Sequence, residues 1–298
     1  MKIARIAVPG RPPTWAIVDL DQSTMQPIAG GIEDWGQAAA GGRVDFTATA
    51  APVPIAEVRI LAPVTASSTI AGIGMNYWSH LAKLGHTEPP ASPVGFIKPR
   101  SAIIGHDAEI AYPAITDQLD FEVELVAVLA RSSDAADPNP SEALLGYTVG
   151  NDVSARDAAA PMVGLDLFTM KALTATSPVG PWITTRDEFG RSRQIDIEIA
   201  LRVNGEERQR DRTANMIWNI DECLRYVTDR MALDAGDLVF TGTTDGVGLE
   251  DGRFLGAGDV VEAEIEGIGV LRNRVAVQSA PRVSGSRDHV SGNDQRRM

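Results

Sequence analysis

The chain has 298 residues, of which 44% are apolar, and its 40 acidic and 27 basic side chains give a formal net charge of −13. This composition is typical of a globular protein with a sizeable core, and the acidity argues against a nucleic-acid partner, because phosphate binding needs a basic surface. The single cysteine, Cys223, excludes an intramolecular disulfide, and no apolar run reaches the roughly 18 residues of a membrane span. Residues 1–9 are too short and too early interrupted to form a signal peptide. We therefore expect a cytoplasmic protein without a membrane partner.

The first 57 residues are predicted to form a small β-rich accessory domain. Apolar runs at 3–8 and 15–19 indicate two strands, with turn-forming Pro-Gly and Pro-Pro pairs between them. Residues 33–40 are predicted to form a short helix that ends at a Gly-Gly pair, and the Ala- and Pro-rich stretch at 49–54 is predicted to be a linker. This domain shows no residue pattern typical of a functional site.

Residues 58–278 are predicted to form a larger domain that is mostly β with some α. Short apolar runs alternate with Gly, Pro, Asn and Asp clusters, without the β-α-β alternation of a doubly wound sheet, so we expect a closed or rolled sheet system. Strands are predicted at 120–130, 147–150, 195–203, 237–241, 260–265 and 269–276, and helices at 141–145 and 219–231. Residues 279–298 are polar and rich in small side chains, which predicts a disordered tail.

The predicted strand at 120–130 begins with two acids at alternating positions, Glu122 and Glu124. Side chains two apart in a strand share a face and lie roughly 7 Å apart, so these carboxylates would repel each other unless a cation lay nearby. Asp152, at the end of another predicted strand, would complete a set of three carboxylates, which are good ligands for Mg²⁺ or Mn²⁺. The alternatives are an exposed strand end with hydrated acids, and an Asp152 that only caps a turn. The shortage of histidine, with no His–Cys pair at ligand spacing, argues against zinc.

Further candidates are three basic side chains and one loop. His80 is suited to proton transfer at neutral pH, although a lone histidine is more often structural or exposed. Lys98, on an otherwise apolar strand, and Lys171 could neutralise the acids or hold a substrate carboxylate, while exposure is the default for a lysine. The Gly/Thr loop at 241–248 could bring backbone N–H groups to an anion, but it lacks the Gly-Lys-Ser/Thr of a phosphate-binding loop. Cys223 lies in a helical pattern and is predicted to be a core residue.

Eight short motifs follow one another between residues 58 and 276. They are Gly-x-Asn-Tyr-x-x-His at 74–80, Phe-Ile-Lys-Pro at 96–99, Asp-Phe-Glu-Val-Glu-Leu at 120–125, Gly-Tyr-Thr-Val-Gly-Asn-Asp-Val-Ser-Ala-Arg-Asp at 146–157, Pro-Val-Gly-Pro-Trp at 178–182, Val-Asn-Gly-Glu at 203–206, Gly-Asp-Leu-Val-Phe-Thr-Gly-Thr at 236–243 and Gly-Ile-Gly at 267–269. Together they strongly resemble the fumarylacetoacetate hydrolase superfamily, including its members similar to 2-hydroxyhepta-2,4-diene-1,7-dioate isomerase.

The resemblance implies a mixed β-sandwich roll, a homodimer, and one divalent metal ion in each active site, Mg²⁺ or Mn²⁺ with Ca²⁺ as a third candidate. Family members hydrolyse C–C bonds of acylpyruvates, decarboxylate oxaloacetate-like acids, or isomerise and hydrate 2-oxo acids. By motif, the metal ligands correspond to Glu122, Glu124 and Asp152. The catalytic positions correspond to His80 and Lys171, and the substrate-binding positions to Tyr77, Lys98, Arg156 and Thr243.

Four positions depart from the family pattern. Hydrolase-like members commonly have a Glu three residues after the His, which pairs with it to activate water, whereas this chain has Lys83. A lysine cannot orient a histidine in the same way, so Lys83 is included among the catalytic candidates as the position where the chemistry diverges. Ala159 replaces a common Gln, Thr174 a common Asp and Thr244 a common Pro. The predicted metal site is therefore intact, while the residues around substrate and water differ.

These residues favour a divalent-metal-dependent hydrolase that cleaves a C–C bond of a 2-oxo or 1,3-dicarbonyl acid, with that small acid as its partner. His80 would activate water or shuttle a proton, and Lys171 and Arg156 would hold the anion. A second hypothesis drops water attack and predicts a tautomerase, decarboxylase or hydratase of a 2-oxo acid such as oxaloacetate, which Lys83 favours. A third is a metal-containing binding protein without turnover, which the retained acids and His80 disfavour.

Overall fold

The computed structural model describes residues 1–42, 44–158, 166–190 and 195–277. Over these ranges the chain is mostly β-strand, with five short α-helices. The helices are α1 (Ile32–Ala40), α2 (Trp78–Lys83), α3 (Leu167–Lys171), α4 (Ile220–Thr228) and α5 (Gly248–Asp251). None of these described helices combines the length and the apolar character that crossing a membrane requires.

The largest sheet has twelve strands and carries most of the site residues. In spatial order its main path is β4 (Val53–Pro54), β3 (Thr24–Ile28), β2 (Thr14–Asp19), β1 (Lys2–Ala7), β14 (Ser177–Thr185), β12 (Leu144–Asn151), β11 (Val123–Leu129), β17 (Leu238–Thr243), β6 (Ile70–Gly74) and β7 (Val94–Lys98). Two further strands leave this path, β5 (Arg59–Leu61) beside β1 and β8 (Ile103–Ile104) beside β14. The pairs β17–β6 and β14–β8 are parallel, and the other pairs are antiparallel.

A five-stranded sheet packs against one face of the large sheet. Its order is β16 (Glu206–Arg212), β15 (Glu198–Val203), β18 (Val260–Ile265), β19 (Gly269–Val275) and β9 (Glu109–Ile110). Leu201, Ala263 and Leu271 from this sheet share one core with Leu125 and Ala127 of β11. Two facing sheets with a common core form the mixed β-sandwich roll that the family resemblance implies.

Strand β11 lies in the middle of the large sheet, and all seven of its residues are buried. Its alternate side chains pack into different cores, Leu125 and Ala127 toward the five-stranded sheet, Val126 and Val128 toward α1 and the N-terminal strands. A strand covered on both faces has a near-continuous apolar sequence, as this one does. Any charged side chain on this strand is therefore placed in a buried environment.

Helix α4 closes the core between the two sheets. It begins with a capping box, in which the Asn219 side chain accepts from the Glu222 N–H at 3.1 Å and the Glu222 carboxylate accepts from the Asn219 N–H at 2.8 Å. Its apolar face carries Leu224 and Cys223, both fully buried, and burial raises the pKa of the Cys223 thiol to about 12. Cys223 is thus a core residue, as its position in the helical pattern predicts.

The N-terminal strands belong to the same sheet as the rest of the chain. β1 is joined to β14 by the pairing of Lys2 with Thr184 and of Ile3 with Ile183. Trp15 and Trp35 pack edge to face, with ring centroids 5.5 Å apart, in the core that β11 shares with this region. The domain division at residue 57 remains a proposal, and the predicted disordered tail and Ala159 lie outside the described residues.

Three local predictions are wrong. Residues 141–145 do not form an α-helix: a 3₁₀ turn spans Pro140–Ala143, and β12 begins at Leu144, because Leu144 and Leu145 pack into opposite cores. The stretch at 49–54, predicted as a linker, ends in β4, which pairs with β3. The strand predicted at 120–130 is interrupted: β10 (Leu119–Asp120) pairs with β13 (Ser154–Ala155), and β11 begins only at residue 123.

Candidate active site

Three carboxylates meet where β11 begins and β12 ends. Glu122 precedes β11, Glu124 is the second residue of β11, and Asp152 follows β12. One oxygen from each lies within 4.8 Å of the others, and all three residues are buried. The antiparallel pairing of Val123 with Asn151 brings them together, because it places the start of one strand beside the end of the other.

Side-chain acceptors create the interruption before β11. The Glu122 N–H donates to the Asn151 side-chain oxygen at 2.9 Å, and the Phe121 N–H donates to the Asp120 carboxylate at 2.9 Å, where a regular strand would use ladder carbonyls. The Glu122 carbonyl in turn accepts from the Asp152 N–H at 2.8 Å. Glu122 therefore reaches the cluster from an irregular segment just before β11, which strand alternation alone does not predict.

Two lysines neutralise Asp152. Lys171 donates to Glu122 at 2.6 Å and to Asp152 at 2.5 Å. Lys98, fully buried, donates to the other Asp152 oxygen and, at 2.8 Å, to the backbone carbonyl of Lys171. Burial lowers the pKa of Lys98, and the charges of Asp152 and Glu122 raise the pKa of Lys171 above its ordinary value against the effect of burial. Lys98 thus holds Asp152 and the end of α3 in place.

Arg156 joins the cluster to a fourth acid. It donates to Glu122 at 2.5 Å and to Asp120 at 2.8 Å, and both acids are buried. Asp120 and the three clustered carboxylates therefore face three cationic side chains, so one negative charge is left uncompensated. A divalent cation would turn this deficit into one net positive charge, which suits an anionic substrate.

The surrounding charges act in opposite directions on the two glutamates. Burial alone would raise the pKa of Glu122, but Lys171 and Arg156 outweigh it and lower that pKa to about 2. Burial, reinforced by the charges of Asp152 and Glu122, holds the pKa of Glu124 well above its ordinary value. Glu124 is therefore the carboxylate whose ionised form gains most from a nearby cation.

His80 is paired with an acid that the sequence does not single out. Its Nδ1 lies 2.9 Å from Oε1 of Glu250 on α5, and the two side chains are only 8% and 9% exposed. When Glu250 accepts a hydrogen bond from Nδ1–H, the Nε2 atom keeps a lone pair and can take a proton. His80 is close enough to the cluster for its charge to lower the pKa of Glu122.

The Gly/Thr loop at 241–248 does hold anions, and these are side chains of the chain itself. Three of its N–H groups donate to one carboxylate each: Gly242 to Glu124 at 2.7 Å, Gly246 to Glu250 at 2.8 Å and Gly248 to Asp120 at 2.6 Å. One segment thereby fixes three carboxylates: Glu124, a metal-ligand candidate, Glu250, the partner of His80, and Asp120, the partner of Arg156. Backbone donors are suited to this because they are fixed by the fold.

Not every predicted site residue reaches the cluster. The Lys83 side chain is exposed at the end of α2 and makes no hydrogen bond or ion pair within the described ranges. Tyr77 is fully buried in the core between the sheets. The Thr243 hydroxyl donates to the Val123 carbonyl at 2.8 Å and accepts from Gln209 at 2.9 Å, so it braces β11 rather than facing a ligand. The ammonium of Lys98 is likewise engaged by Asp152 and by the backbone carbonyl of Lys171.

Sequence reasoning missed Glu250 and Asp120. Glu250 lies two residues after the Gly/Thr loop, so the expectation of anions at that loop was the available signal. Asp120 begins the motif that contains Glu122 and Glu124, yet its role depends on Gly248, which lies 128 residues away. Contacts at such separations follow from the sheet topology and leave no local sequence pattern.

The donor set fits a hard divalent cation. Three carboxylates with no histidine or cysteine are the ligands that Mg²⁺, Mn²⁺ and Ca²⁺ prefer, and three ligands leave coordination positions for water or substrate. Such a cation would also favour the ionised form of Glu124, whose pKa is raised first by burial and then by the charges of Asp152 and Glu122.

Comparisons with known proteins agree with this fold. Residues 69–276 match the family described as "Fumarylacetoacetate (FAA) hydrolase C-terminal", and residues 1–63 match "Rv2993c-like, N-terminal". Protein Rv2993c of Mycobacterium tuberculosis is 40% identical over 230 residues, 76% of this chain and 82% of that protein. The mitochondrial oxaloacetate tautomerase FAHD2A of Bos taurus is 35% identical over 232 residues, 76% of this chain and 73% of that protein.

Two solved structures extend the comparison. A 2-hydroxyhepta-2,4-diene-1,7-dioate isomerase from Mycobacterium marinum superposes with a TM-score of 0.75 at 33% identity, covering 93% of this chain and 100% of that one. A fumarylpyruvate hydrolase from Pseudomonas aeruginosa, in complex with Mn²⁺ and pyruvate, has a TM-score of 0.63 at 31% identity over 74% of this chain and 92% of that one. The chain belongs to the fumarylacetoacetate hydrolase family, whose members include isomerases, hydrolases and tautomerases.

Proposed function

We propose that the protein is a divalent-metal-dependent hydrolase that cleaves a C–C bond of a 2-oxo or 1,3-dicarbonyl acid of the acylpyruvate type. The observation that carries this proposal is the buried His80–Glu250 pair beside the three-carboxylate cluster. In this proposal Glu250 supplies from α5 the carboxylate that position 83 lacks on α2, and its contact with His80 supports a water-activating pair despite Lys83.

The metal ligands in this proposal are Glu122, Glu124 and Asp152, with Mg²⁺ or Mn²⁺ as the ion. Bound there, the ion would supply Lewis-acid stabilisation of the negative charge that develops on the 2-oxo acid. The fumarylpyruvate hydrolase that resembles this chain holds Mn²⁺ and pyruvate, which supports a 2-oxo acid at the equivalent place.

The reaction assigned to His80 is proton transfer. Nε2 takes a proton from water, and the resulting hydroxide adds to the carbonyl carbon remote from the carboxylate. The bond between this carbonyl carbon and the neighbouring CH₂ carbon breaks, and its electron pair forms the enolate of the shorter 2-oxo acid. A proton returned to the CH₂ carbon then gives a carboxylic acid and a 2-oxo acid. Glu250 keeps the imidazole in the tautomer that this step requires.

The cationic side chains are proposed to bind the anionic substrate through the net charge of the site. Lys171 is the candidate for direct contact with the substrate, because its ammonium donates to Glu122 and Asp152, two of the proposed metal ligands. Arg156 is proposed to hold Glu122 and, through it, the substrate side of the cluster. A homodimer is proposed from the family resemblance alone.

The test is turnover of an acylpyruvate with Mg²⁺ present in the wild type, His80→Ala and Glu250→Gln. Loss of a general base or of its orienting partner lowers turnover by roughly 10²-fold or more. Glu207→Gln, an exposed acid on β16, is the matched control and should keep wild-type turnover. Acylpyruvate turnover that survives both site substitutions would refute the role of the pair.

A second candidate is tautomerisation of oxaloacetate, favoured by the 35% identity with the bovine oxaloacetate tautomerase. The same His80 could move a proton between carbon and oxygen of the enol and keto forms without attack by water. Assaying oxaloacetate and an acylpyruvate side by side separates the two, because a tautomerase interconverts the first and leaves the C–C bond of the second intact.

A further inference from the structure

The edge strand β16 reaches every segment that carries the reactive pair. It is the outer strand of the five-stranded sheet, and its residues alternate, with Gln209 buried, Arg210 exposed and Asp211 half-buried. Arg208, on the same strand, donates to Asp251 of α5 at 2.9 and 3.0 Å. β16 therefore contacts the helix of Glu250 directly.

Gln209 braces the β11–β17 pair beside Glu124. Its side-chain oxygen accepts from the Val123 N–H at 3.0 Å, and its amide donates to the Thr243 hydroxyl at 2.9 Å and the Thr244 carbonyl at 3.0 Å. The ladder pairs Glu124 with Thr243 and shifts register immediately after, so Gln209 satisfies backbone groups that the irregular ladder leaves free. It is 1% exposed, so none of these bonds is replaced by solvent.

Asp211, two residues further, holds the helix of His80. One of its carboxylate oxygens accepts from the Thr244 hydroxyl at 2.8 Å and from Ser79 at 3.1 Å, and these two hydroxyls lie 3.1 Å apart. Ser79 immediately precedes His80 on α2. A proline at position 244, as the family pattern has, could not donate this bond. These contacts among Asp211, Ser79 and Thr244 form a clamp on α2. The clamp depends on Thr244, at which this chain departs from the family pattern.

The loop after β17 lies directly against β16. A Cβ at Gly246 would fall 2.0 Å from the Arg208 carbonyl oxygen, and Gly246 also has φ +93°, so only glycine fits there. The Gly246 N–H donates to Glu250. The close backbone contact between Gly246 and Arg208 therefore fixes the position of Glu250, the partner of His80, relative to β16.

We propose that Gln209 and Asp211 are positioning residues of the active site, Gln209 for the ligand Glu124 and Asp211 for the helix of His80. This inference rests on the proposed function and deepens it. It predicts that the two residues act on separable properties, because Gln209 braces the metal side and Asp211 braces the histidine side. Neither side chain contacts the substrate in this scheme.

The Gln209 half is tested with Gln209→Met, which keeps the side-chain length and removes every hydrogen bond. We expect Mn²⁺ affinity, measured by electron paramagnetic resonance, to fall by about 10-fold or more, as when supporting hydrogen bonds of metal ligands are removed. Gln26→Met is the matched control, because the Gln26 amide also donates to backbone carbonyls but lies on β3. Unchanged Mn²⁺ affinity in a folded Gln209→Met, or an equal loss in Gln26→Met, overturns this half.

The Asp211 half is tested with Thr244→Val and Thr244→Ser, which remove and retain the hydroxyl donor. We expect Thr244→Val to lower kcat by about 10-fold through misplacement of His80, with Mn²⁺ affinity unchanged and the imidazole ¹⁵N shifts of His80 moved. Thr244→Ser should restore all three values. Thr228→Val, a buried threonine of α4, controls for the loss of a buried hydroxyl. If both Thr244 variants behave alike, or Thr228→Val shifts the His80 signals equally, the clamp has no positioning role.

The readouts separate this inference from the proposed function. If wild-type protein binds no Mn²⁺, the proposed function fails, while the His80 shifts still test the clamp. If wild-type protein binds Mn²⁺ and the Gln209→Met and Thr244→Val variants match it in affinity, kcat and shifts, the proposed function stands and the inference fails.

Discussion

At the scale of single residues, the site is a balance of buried charges. Glu122 is stabilised in its ionised form by Lys171 and Arg156. Among the described residues, Glu124 has only the Gly242 N–H as a direct donor, and it lies beside two other acids. Buried charges without a partner are costly, so the cluster is under electrostatic stress that a divalent cation relieves.

Glu124→Gln should therefore make the metal-free protein more stable and metal binding weaker. Removing a charge whose pKa is raised by burial and by its neighbours should raise the free energy of unfolding at pH 7, by about 1.4 kcal/mol for each pH unit by which folding raises that pKa. Because folding raises this pKa, the gain should vanish as the pH falls through the ordinary range of a glutamate. Urea denaturation with chelator at pH 7 and pH 4 measures the gain in stability and its loss at low pH. A Glu124→Gln variant that is less stable than the wild type at pH 7 would contradict this prediction.

Tyr77 provides a second residue-level prediction. Its hydroxyl has no hydrogen-bond partner within the described part of the chain, and the side chain is fully buried. Tyr77→Phe should therefore leave stability unchanged or raise it by about 1 kcal/mol, since an unsatisfied buried hydroxyl is removed. Thermal unfolding measures this, with Tyr112→Phe, a half-buried tyrosine, for comparison. Loss of substrate affinity in Tyr77→Phe would restore the substrate-binding role that its motif suggests.

The residues named from the sequence divide according to the range of their contacts. Glu122, Glu124 and Asp152 were candidates because acids in apolar strand segments are unusual. Their residue pattern alone left a hydrated strand end and a turn cap open, and the family motifs favoured the cluster. Lys83 was included because of its spacing from His80, but the residue that pairs with His80 is Glu250, 170 positions away. No local pattern could show that pairing, because it depends on how two short helices dock.

At the scale of elements, the helices that carry His80, Lys171 and Glu250 are too short to be stable alone. α2 has six residues, α3 five and α5 four, and isolated helices below roughly 12 residues are marginal in water. Tertiary hydrogen bonds hold these helices instead. Lys98 donates to the last carbonyl of α3, and the Asp120 carboxylate accepts from the first N–H groups of α5. Helix propensity therefore predicts their positions poorly.

Asp120→Ala should uncouple α5 from Arg156. Asp120 accepts from the Gly248 and Leu249 N–H groups at 2.6 and 3.0 Å and from Arg156 at 2.8 Å, so its loss leaves a buried cation half unpaired. We expect a loss of about 3 kcal/mol of stability, as when one partner of a buried ion pair is removed. Amide exchange of residues 248–251 should quicken beyond the global change.

The control for that substitution is Asp229→Ala, at the exposed end of α4. It should cost less than about 1 kcal/mol, as exposed ion pairs do. Slow exchange at 248–251 in Asp120→Ala, equal to that of the control, would show that α5 is held by other contacts.

At the scale of the whole molecule, the fold class was predictable and the connectivity was not. Short apolar segments separated by turn residues indicate a mostly β protein, and strands such as β2, β17 and β19 lie where the pattern places them. The order of strands in the twelve-stranded sheet, with β1 beside β14, requires pairings more than 180 residues apart. Such pairings follow from the burial of both faces of the sheet, and the local sequence of a single segment does not show which strand will be its neighbour.

The core also sets the response of the whole protein to alkali. Burial raises the pKa of Cys223 to about 12 and of Tyr147 to about 12. The folded chain keeps these protons to higher pH than the unfolded chain, so stability should be complete below about pH 9 and fall as the pH rises toward 12, by up to about 1.4 kcal/mol per group and pH unit. Urea midpoints at pH 8 and 10.5 should differ more in the wild type than in Cys223→Ala, and equal differences would contradict the assignment.

The central claim is that Glu122, Glu124 and Asp152 together bind one divalent cation. Electron paramagnetic resonance of Mn²⁺ titrated into the chelator-treated wild type and Glu122→Ala tests it most directly. We predict one tightly bound Mn²⁺ per chain in the wild type and at least about a 10-fold loss of affinity in Glu122→Ala. Wild-type occupancy in Glu122→Ala, or no bound Mn²⁺ in the wild type, would contradict the account.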